Sequence, residues 1–410
     1  MAGKLAIHGG PKVRSRPFAS WPVAGGEEEA ALLGVLRSGM WGIGGRKVRQ
    51  LERAFGAYHD CAHGVAVCNG TVALHVALLA AGVQAGDEVI VPPYTFVATA
   101  AAVVLANCTP VFVDVLPETC CIDPAEIEAA VTPRTKAVIP VHLAGRPAEM
   151  DAVLDVARAH GLVVIEDCAQ AHGAEYHGKR VGSLGDMGCF SFQSSKNLAA
   201  GEGGMVLTND ADLHERCESI HNCGRARQGK WYGHEILGVN YRMAEFQAAL
   251  LLAQMARLDE QMAIRETSAA SLDERLRTVP GIEPLPRGGA DVRHANHLYV
   301  FRYDAAAFGG VPRERFIEAA GAEGIPVAEG YGLPIYRLPW FRRADFGPFR
   351  GDGQAGDRPD YRDVCCPACE QLCAEALWLP QQVLLGTAED IADIVRALRK
   401  VHDHRRELLP

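Results

Sequence analysis

The chain has 410 residues, of which 48% are hydrophobic and 22% charged, a size and composition typical of a globular enzyme with two domains. A net charge of −9 without a long basic run argues against nucleic acid as a partner. No stretch approaches the roughly 20 apolar residues of a membrane helix, and the N-terminus lacks the apolar core of a signal peptide. We therefore expect a cytoplasmic protein that does not bind membranes.

Short apolar runs alternate with helical patterns between residues 65 and 207. The runs are rich in β-branched residues and do not alternate with polar ones, which is typical of strands buried on both faces of a parallel sheet. We predict strands at 89–91, 111–113, 137–139 and 162–165, and helices at 71–81, 123–131 and 147–160. This order predicts an α/β fold with a mostly parallel central sheet.

The pattern changes beyond residue 244. One long helix is predicted over 244–279, ended by Pro280 and Gly281 and long enough to bridge two domains. The remainder is predicted to contain a strand at 297–303, helices at 312–324 and 389–401, and a surface loop at 350–358. We therefore expect an N-terminal segment and large cofactor-binding domain over residues 1–260, and a smaller α+β domain over residues 261–410.

The chain contains thirteen cysteines, most of them in apolar runs, where a reduced Cys acts as a small hydrophobic residue. Cys366 and Cys369 have the spacing of a metal-binding pair, but no second Cys or His pair follows. We therefore predict reduced thiols and no metal.

Lys196 and Asp167 are the candidate catalytic residues. Lys196 lies in a segment with few other charges, and a partly desolvated lysine is nucleophilic near neutral pH. Asp167 ends a predicted strand, where a carboxylate can keep a pyridine nitrogen protonated. Pyridoxal 5′-phosphate needs both groups: an amine for its aldehyde and an acid for its ring nitrogen. The alternatives are a surface lysine and a helix-capping aspartate.

Residues before the first predicted helix suit a phosphate. Gly70 permits close backbone approach, and Thr71 can cap the helix and offer its hydroxyl at a helix N-terminus. Taken alone, this motif fits a plain helix cap better. Ser191, shortly before Lys196, offers a further hydroxyl to the phosphate.

Two residues suit the pyridine ring. Phe96 follows two prolines at the carboxyl end of a predicted strand, where open α/β sheets bind ligands, and could stack on the ring or pack in the core. Gln170, three residues after Asp167, could hydrogen-bond the ring hydroxyl. Each feature is weak alone, but their order along one α/β pattern favours a pyridoxal phosphate site.

With these residues assembled, the chain resembles the DegT/DnrJ/StrS family of pyridoxal-phosphate-dependent sugar and cyclitol aminotransferases over nearly its whole length. The resemblance implies fold type I of the pyridoxal-phosphate-dependent transferases. Besides the residues above, its motifs are Pro93-Tyr94-Thr95-Phe96, Asp167-Cys168-Ala169-Gln170-Ala171-His172-Gly173, Gly201-Glu202-Gly203-Gly204 and Gly238-Val239-Asn240-Tyr241-Arg242-Met243.

The resemblance also implies a homodimer with shared active sites. In the family the Asn of the last motif, here Asn240, reaches the cofactor phosphate of the neighbouring subunit, and Trp41 looks like a residue that borders the partner's site. Arg225 and Tyr331 are further candidates for substrate contacts, with surface or packing roles as the alternative.

The retained Lys196 implies amino transfer, because some relatives carry His there and perform dehydration. Many nucleotide-sugar members of the family carry His where this chain has Gln193. The Phe-Gln-x-x-Lys form found here resembles the branch that aminates scyllo-inosose or 2-deoxy-scyllo-inosose. The same branch includes 3-amino-5-hydroxybenzoate synthase. Gln381 and Gln382 stand where that branch often has two histidines, which predicts a different acceptor pocket.

The function implied is transfer of an amino group from L-glutamine or L-glutamate to a keto-cyclitol or keto-sugar in aminoglycoside-like secondary metabolism. Three alternatives stay open: a 3-amino-5-hydroxybenzoate synthase-like dehydratase or aromatase, an aminotransferase for nucleotide-linked keto-sugars, and a catalytically silent regulatory protein that keeps the fold.

Overall fold

The computed structural model describes residues 4–226, 230, 232–349 and 360–409, so the loop predicted at 350–358 lies outside the described residues. The α-helices of these residues are α1 Gly26–Ser38, α2 Lys47–Tyr58, α3 Gly70–Ala80, α4 Ala98–Leu105, α5 Pro124–Ala130, α6 Met150–His160, α7 Ala211–His221, α8 Glu245–Met255, α9 Leu258–Leu276, α10 Arg313–Ala322, α11 Pro339–Arg342, α12 Pro367–Glu375 and α13 Ala388–Asp403.

The strands are β1 His63–Val67, β2 Glu88–Val91, β3 Thr109–Phe112, β4 Thr135–Val138, β5 Val163–Asp167, β6 Glu175–Tyr176, β7 Lys179–Arg180, β8 Met187–Ser191, β9 Gly204–Thr208, β10 Ile282–Pro284, β11 Val292–Arg293, β12 Leu298–Tyr303, β13 Ala328–Glu329 and β14 Ala376–Pro380. Each strand and helix predicted before residue 244 coincides with one of these elements, with ends that differ by a few residues.

The central sheet has seven strands in the order β1-β9-β8-β5-β4-β2-β3. Its β8-β5, β5-β4, β4-β2 and β2-β3 pairs are parallel, while β9 is antiparallel to both of its neighbours. Six strands therefore run in one direction, which confirms the mostly parallel α/β sheet. Val89, Ile90 and Val91 of β2 are each 0% exposed, because helices cover both faces of the sheet.

A second hydrophobic core lies over the four-stranded antiparallel sheet β10-β12-β14-β13. Phe301 of β12, Phe316 of α10 and Leu398 of α13 are buried in it, together with Leu5 from the N-terminus. Arg14 fixes the same N-terminal segment, because its Nη1 lies 2.7 Å from Asp390 Oδ1 and 2.9 Å from Asp393 Oδ2. The domain boundary at residue 260 stays a prediction.

The single long helix predicted over 244–279 is wrong. The structure has two helices there, since α8 ends at Met255 and α9 begins at Leu258. The apolar spacing continues across the break and hides it, because Met255 and Leu258 are both apolar. Arg257 marks the break: its guanidinium forms an ion pair with Glu28 of α1.

Among the residues that the structure describes, no helix combines the length and the apolar character needed to cross a membrane.

Candidate active site

A cleft of about 750 Å³ lies at the edge of the central sheet where the parallel strands end. The carboxyl ends of β1, β2, β5 and β8 meet there, the position at which open α/β sheets bind ligands. The cleft is lined by Asn69, Gly70, Thr71, Val72, Leu74, Thr95, Phe96, Ala98, Val141, Asp167, Ala169, Gln170, Ser191, Gln193, Ser195, Lys196 and Glu202. It therefore brings together every predicted cofactor contact except Asn240.

The N-terminus of α3 forms one end of the cleft. Asn69 caps this helix, because its Oδ1 accepts a hydrogen bond from the amide of Val72 at 2.9 Å. The prediction that Thr71 caps the helix is therefore wrong: the helix begins one residue earlier, at Gly70, and the Thr71 side chain lines the cleft instead. The amides of a helix's first turn have no acceptor within the helix, so this end suits an anion.

Gly70 and Ser191 meet at the base of this helix end. A Cβ atom added to Gly70 would lie 2.7 Å from the Cβ of Ser191, too close for any side chain. Ser191 ends β8 and is 8% exposed. The absence of a side chain at Gly70 thus leaves a cradle of backbone amides and a hydroxyl that matches the size and charge of a phosphate.

Asp167 is the last residue of β5 and is only 5% exposed. Its Oδ1 accepts a hydrogen bond from the Ala169 amide at 3.1 Å, and its Oδ2 accepts one from the Thr99 hydroxyl at 2.8 Å. Burial raises the pKa of Asp167, while these two hydrogen bonds and the nearby charge of Lys196 oppose that rise. The carboxylate is thus buried yet supported as an anion.

Lys196 lies in the loop that follows β8 and lines the same cleft as Asp167. Burial lowers the pKa of its amine to about 8, and the charge of Asp167 acts in the opposite direction. The loop is fixed at both sides of this residue: its amide donates to the Gln193 carbonyl at 2.9 Å, and its carbonyl accepts from Trp21 Nε1 at 3.1 Å. About a tenth of the amine is therefore uncharged, and nucleophilic, at pH 7, a far larger fraction than for an ordinary lysine.

Gln170 joins the cofactor cleft to a second one. Its Oε1 accepts from the Ala144 amide at 2.7 Å, and its Nε2 donates to the Tyr331 hydroxyl at 3.2 Å. Tyr331 lines the neighbouring cleft, of about 680 Å³, which shares Thr95 and Phe96 with the first. Tyr331 packs edge-on against the Trp378 ring, with ring centroids 5.0 Å apart.

Phe96 stands between these two clefts and is 58% exposed. The alternative of ordinary core packing does not describe such an open aromatic ring. A large exposed ring beside buried polar groups is what a flat aromatic ligand would cover by stacking.

Trp41, Arg225 and Asn240 do not line either cleft. Trp41 is 53% exposed, and its Nε1 donates to the Leu36 carbonyl at 3.2 Å. Arg225 Nη1 donates to Asn222 Oδ1 at 3.1 Å, and Asn240 is exposed, with its backbone bridged to that of Asn222. A single chain therefore does not bring these predicted residues to the cleft.

Sequence reasoning missed Thr99 and Glu202. Thr99 lies one helical turn after Thr95 in an otherwise Ala- and Val-rich helix start, and its contact with Asp167 depends on how α4 sits against β5. Glu202 lines the cleft from the glycine-rich segment after Lys196. The motif Gly201-Glu202-Gly203-Gly204 contains this residue, but the sequence indicated no role for its side chain.

Gln381 lies outside the cofactor cleft. It is 1% exposed, and its Oε1 accepts a hydrogen bond from Arg265 Nε at 2.8 Å. With Gln382 and Trp21 it lines a cleft of about 350 Å³ that shares Gln193 and Ser195 with the cofactor cleft.

His142, Glu166 and Cys168 form a buried group whose potential ligand atoms lie within 4.8 Å of one another. His142 Nδ1 accepts from the Ala148 amide at 3.0 Å, so the ring is neutral and donates from Nε2 to Glu166 at 2.9 Å. Both Glu166 oxygens also accept backbone amides, from residues 182, 184 and 185. The ring nitrogens of His142 and the oxygens of Glu166 are thus all engaged in hydrogen bonds within the protein, and Glu166 is next to Asp167 in the sequence. All thirteen cysteines are free thiols.

The cleft as a whole fits pyridoxal phosphate. It offers the Gly70 cradle for a phosphate, the open ring of Phe96 for a flat heterocycle, the supported carboxylate of Asp167 for a ring nitrogen and the amine of Lys196 for an aldehyde. Pyridoxal phosphate uses all four groups, because it has a phosphate, a flat ring, a ring nitrogen and an aldehyde.

Comparison with known proteins gives the same assignment. The model of the DegT/DnrJ/EryC1/StrS aminotransferase family matches residues 22–399. The L-glutamine:2-deoxy-scyllo-inosose aminotransferase of Streptoalloteichus tenebrarius is 40% identical over 420 residues, covering 98% of this chain and 99% of that protein. The protein of the same name from Streptomyces fradiae is 40% identical over 429 residues and covers 100% of both chains.

Among solved structures, the crystal structure of 3-amino-5-hydroxybenzoic acid synthase superposes with a TM-score of 0.85 at 35% identity, covering 95% of this chain and 100% of that one. This likeness confirms fold type I. The chain thus belongs to the DegT/DnrJ/EryC1/StrS family and is a pyridoxal-phosphate-dependent aminotransferase.

Proposed function

We propose that the enzyme moves the amino group of L-glutamine to a keto-cyclitol of the scyllo-inosose class in aminoglycoside-type biosynthesis. The observation that carries this proposal is the full-length similarity, at 40% identity, to two enzymes named for that donor and for 2-deoxy-scyllo-inosose. L-glutamate as donor and a keto-sugar as acceptor are the nearest variants of the same reaction.

Lys196 is the proposed base. When bound, pyridoxal phosphate supplies an electron sink for breaking the bond between the donor's amine-bearing carbon and its hydrogen. The Lys196 amine, with its pKa lowered to about 8, accepts that proton and later returns one to the acceptor carbon that becomes amine-bearing. The donor thereby ends as a ketone and the acceptor as an amine.

Asp167 is the proposed partner of the cofactor's ring nitrogen. Its two hydrogen bonds at the strand end support an anion that keeps this nitrogen protonated, and they oppose the rise in pKa that burial causes. Gly70, Thr71 and Ser191 are the proposed phosphate contacts, Phe96 the ring-stacking residue and Gln170 the partner of the ring hydroxyl.

The second cleft is the proposed region for the acceptor. Tyr331 and Trp340 line it with two aromatic rings, and Arg313 and Glu329 contribute one charge of each sign. Arg313 is already engaged, because its Nη1 donates to the Cys373 carbonyl at 2.6 Å and its Nη2 lies 3.6 Å from Glu329 Oε2. In the described lining of this cleft, aromatic faces beside a guanidinium that is paired with a carboxylate suit an uncharged polyol better than a nucleotide-linked sugar, whose phosphates favour unpaired cations.

A homodimer is proposed as the active assembly, with Asn240 reaching the partner's phosphate site and Trp41 bordering it. Apolar side chains flank Asn240 on the surface: Ile236 is 46%, Leu237 93% and Val239 41% exposed. Exposed apolar residues in one segment are typical of an interface. Arg225 is proposed as a substrate contact from the same region, and the cytoplasm as the site of action.

A product assay tests the proposal. The enzyme is incubated with 2-deoxy-scyllo-inosose and L-glutamine labelled with ¹⁵N at either the α-amino or the side-chain amide position, and the products are identified by mass spectrometry. We expect an amino-cyclitol that carries label only from the α-amino position. A product that has lost water would instead support the dehydratase alternative, which the likeness to 3-amino-5-hydroxybenzoic acid synthase favours.

Lys196→Ala and Lys136→Ala provide the matched pair for this assay. Lys136 is an exposed lysine of β4, away from the cleft. We expect the first variant to make no product and the second to match the wild type. Product formation by Lys196→Ala at the wild-type rate would contradict the role of Lys196, and absence of turnover with any donor and acceptor would revive the silent-protein alternative.

A further inference from the structure

The carboxylate of Asp167 is supported by two hydroxyl groups in series. Thr99 Oγ1 lies 2.8 Å from Asp167 Oδ2, and Thr95 Oγ1 lies 3.1 Å from Thr99 Oγ1. Thr99 is 0%, Thr95 3% and Asp167 5% exposed. These side chains form a buried hydrogen-bonded series that starts at the cleft wall, where Thr95 lies, and ends at the carboxylate.

The protons of this series have one arrangement when Asp167 is ionised. A carboxylate only accepts hydrogen bonds, so Thr99 donates its hydroxyl proton to Asp167. The Thr99 oxygen is then the acceptor for the hydroxyl proton of Thr95. A hydrogen bond to a charged acceptor is roughly twice as strong as one between neutral groups, and burial strengthens it further.

The other groups that face Asp167 do not replace Thr99. They are Lys196 after β8, Cys189 on β8, Cys168 after β5, His142 after β4 and Tyr331 after β13. The two cysteines and Tyr331 bring no positive charge, and His142 is neutral because its Nδ1 accepts a hydrogen bond. Lys196 is cationic only while its amine is protonated, and the proposed reaction makes that amine accept and release protons. The hydrogen bonds from the Thr99 hydroxyl and the Ala169 amide to Asp167 do not depend on the protonation state of Lys196.

We propose that Thr99 is a positioning residue that keeps Asp167 ionised and fixed for the cofactor's ring nitrogen, with Thr95 orienting its hydroxyl. This inference rests on the proposed pairing of Asp167 with that nitrogen. Removing the hydroxyl should weaken the one interaction that involves the ring nitrogen, while the phosphate and stacking contacts keep their strength.

Two probes separate this role from packing: pyridoxal 5′-phosphate and its deaza analogue, in which a C–H group replaces the ring nitrogen. The dissociation constant of each from the apoprotein is measured for wild type and for Thr99→Val, which keeps the side-chain shape. We expect that of pyridoxal phosphate to rise about tenfold, as for a lost hydrogen bond to a charged group, and that of the analogue to change less than about twofold.

Two further variants complete the test. Thr99→Ser restores the hydroxyl and should restore the wild-type dissociation constant. Thr109→Val removes the hydroxyl of a threonine that is likewise buried, at 3% exposed, but lies on the edge strand β3, and it should alter the dissociation constant of neither probe. If Thr99→Val does not fold, as judged by circular dichroism, Thr99→Ala takes its place in the comparison.

Equal weakening of both probes in Thr99→Val would overturn the proposal, because a packing defect acts on both alike. An unchanged affinity, or failure of Thr99→Ser to restore it, would overturn it too. Asp167→Asn locates the failure: if this variant also treats the two probes alike, the assignment of Asp167 itself is wrong. If Asp167→Asn discriminates between the probes and Thr99→Val does not, only the role of Thr99 is wrong.

Discussion

Replacing Lys196 with Met should stabilise the apoprotein at neutral pH, because it removes a buried charge that has no close partner other than Asp167. The pKa of an ordinary lysine is 10.5, and that of Lys196 is about 8. Since each unit of difference between two pKa values corresponds to about 1.4 kcal/mol, burying the protonated amine costs at most about 3.5 kcal/mol. Partial exposure of the side chain makes this an upper bound.

The effect should depend on pH in a definite direction. Between about 8 and 10.5 the unfolded chain holds a proton on Lys196 that the folded chain has released, so the stability of the wild type rises with pH in this window. Below pH 8 the cost is fully present, and above 10.5 it is absent. The advantage of Lys196→Met should therefore be largest near neutral pH and should vanish at the alkaline end.

Urea unfolding of the apoproteins at several pH values, followed by circular dichroism, measures this difference as a shift in transition midpoint. Lys136→Met is the matched control, because Lys136 is exposed on the surface of β4. Three results would refute the reasoning that burial has lowered the pKa of this amine. They are no gain in unfolding free energy for Lys196→Met at pH 7, a gain equal to that of the control, and a gain that stays unchanged as the pH rises.

Three further predictions concern the cleft and the dimer. The rate at which pyridoxal phosphate attaches covalently to the apoprotein, measured after borohydride trapping, should rise with pH and level off above about 8; a rise that continues toward 10.5 would contradict the lowered pKa of Lys196. Gly70→Ala should weaken cofactor binding, because its Cβ would lie 2.7 Å from that of Ser191, whereas Gly34→Ala, with no atom within 4 Å of its added Cβ, should have no effect. Lys196→Ala and Asn240→Asp should each be inactive, yet a mixed dimer has one of its two sites intact and should regain about half of the wild-type activity, so that a randomly paired equal mixture regains about a quarter; no recovery would count against shared sites.

The sequence predicts the central sheet well because physics leaves few choices there. Runs such as those at 89–91 and 137–139 are apolar on both faces, and only a parallel sheet covered by helices buries both. Strands of one direction end at one edge, so a motif after each strand falls into one cleft. This is why Phe96, Asp167 and Lys196, about a hundred residues apart at the extremes, could be assigned to one site before their distances were known.

Other features depend on tertiary contacts that no local pattern encodes. The break between α8 and α9 lies where apolar spacing continues, and Arg257 at the break forms an ion pair with Glu28 of α1. The helix cap is Asn69 and not Thr71, because α3 begins at Gly70, two residues before the start that a Thr71 cap requires. Thr99 lies in a helix of small residues and has no distinctive sequence signal, because its hydrogen bond to Asp167 depends on the packing of α4 against β5. Asn240 and Trp41 came from the resemblance alone, since a single chain leaves both outside the cleft.

The central claim is that Lys196 holds the cofactor and that L-glutamine delivers its amino group to it. An absorption spectrum of the purified enzyme, recorded before and after adding L-glutamine, tests this most directly. We expect the yellow band of a lysine-bound pyridoxal, absent in Lys196→Ala, to move to the shorter wavelength of the aminated cofactor when L-glutamine is added. A band that persists in Lys196→Ala, or that L-glutamine and L-glutamate both leave unchanged, would contradict the account.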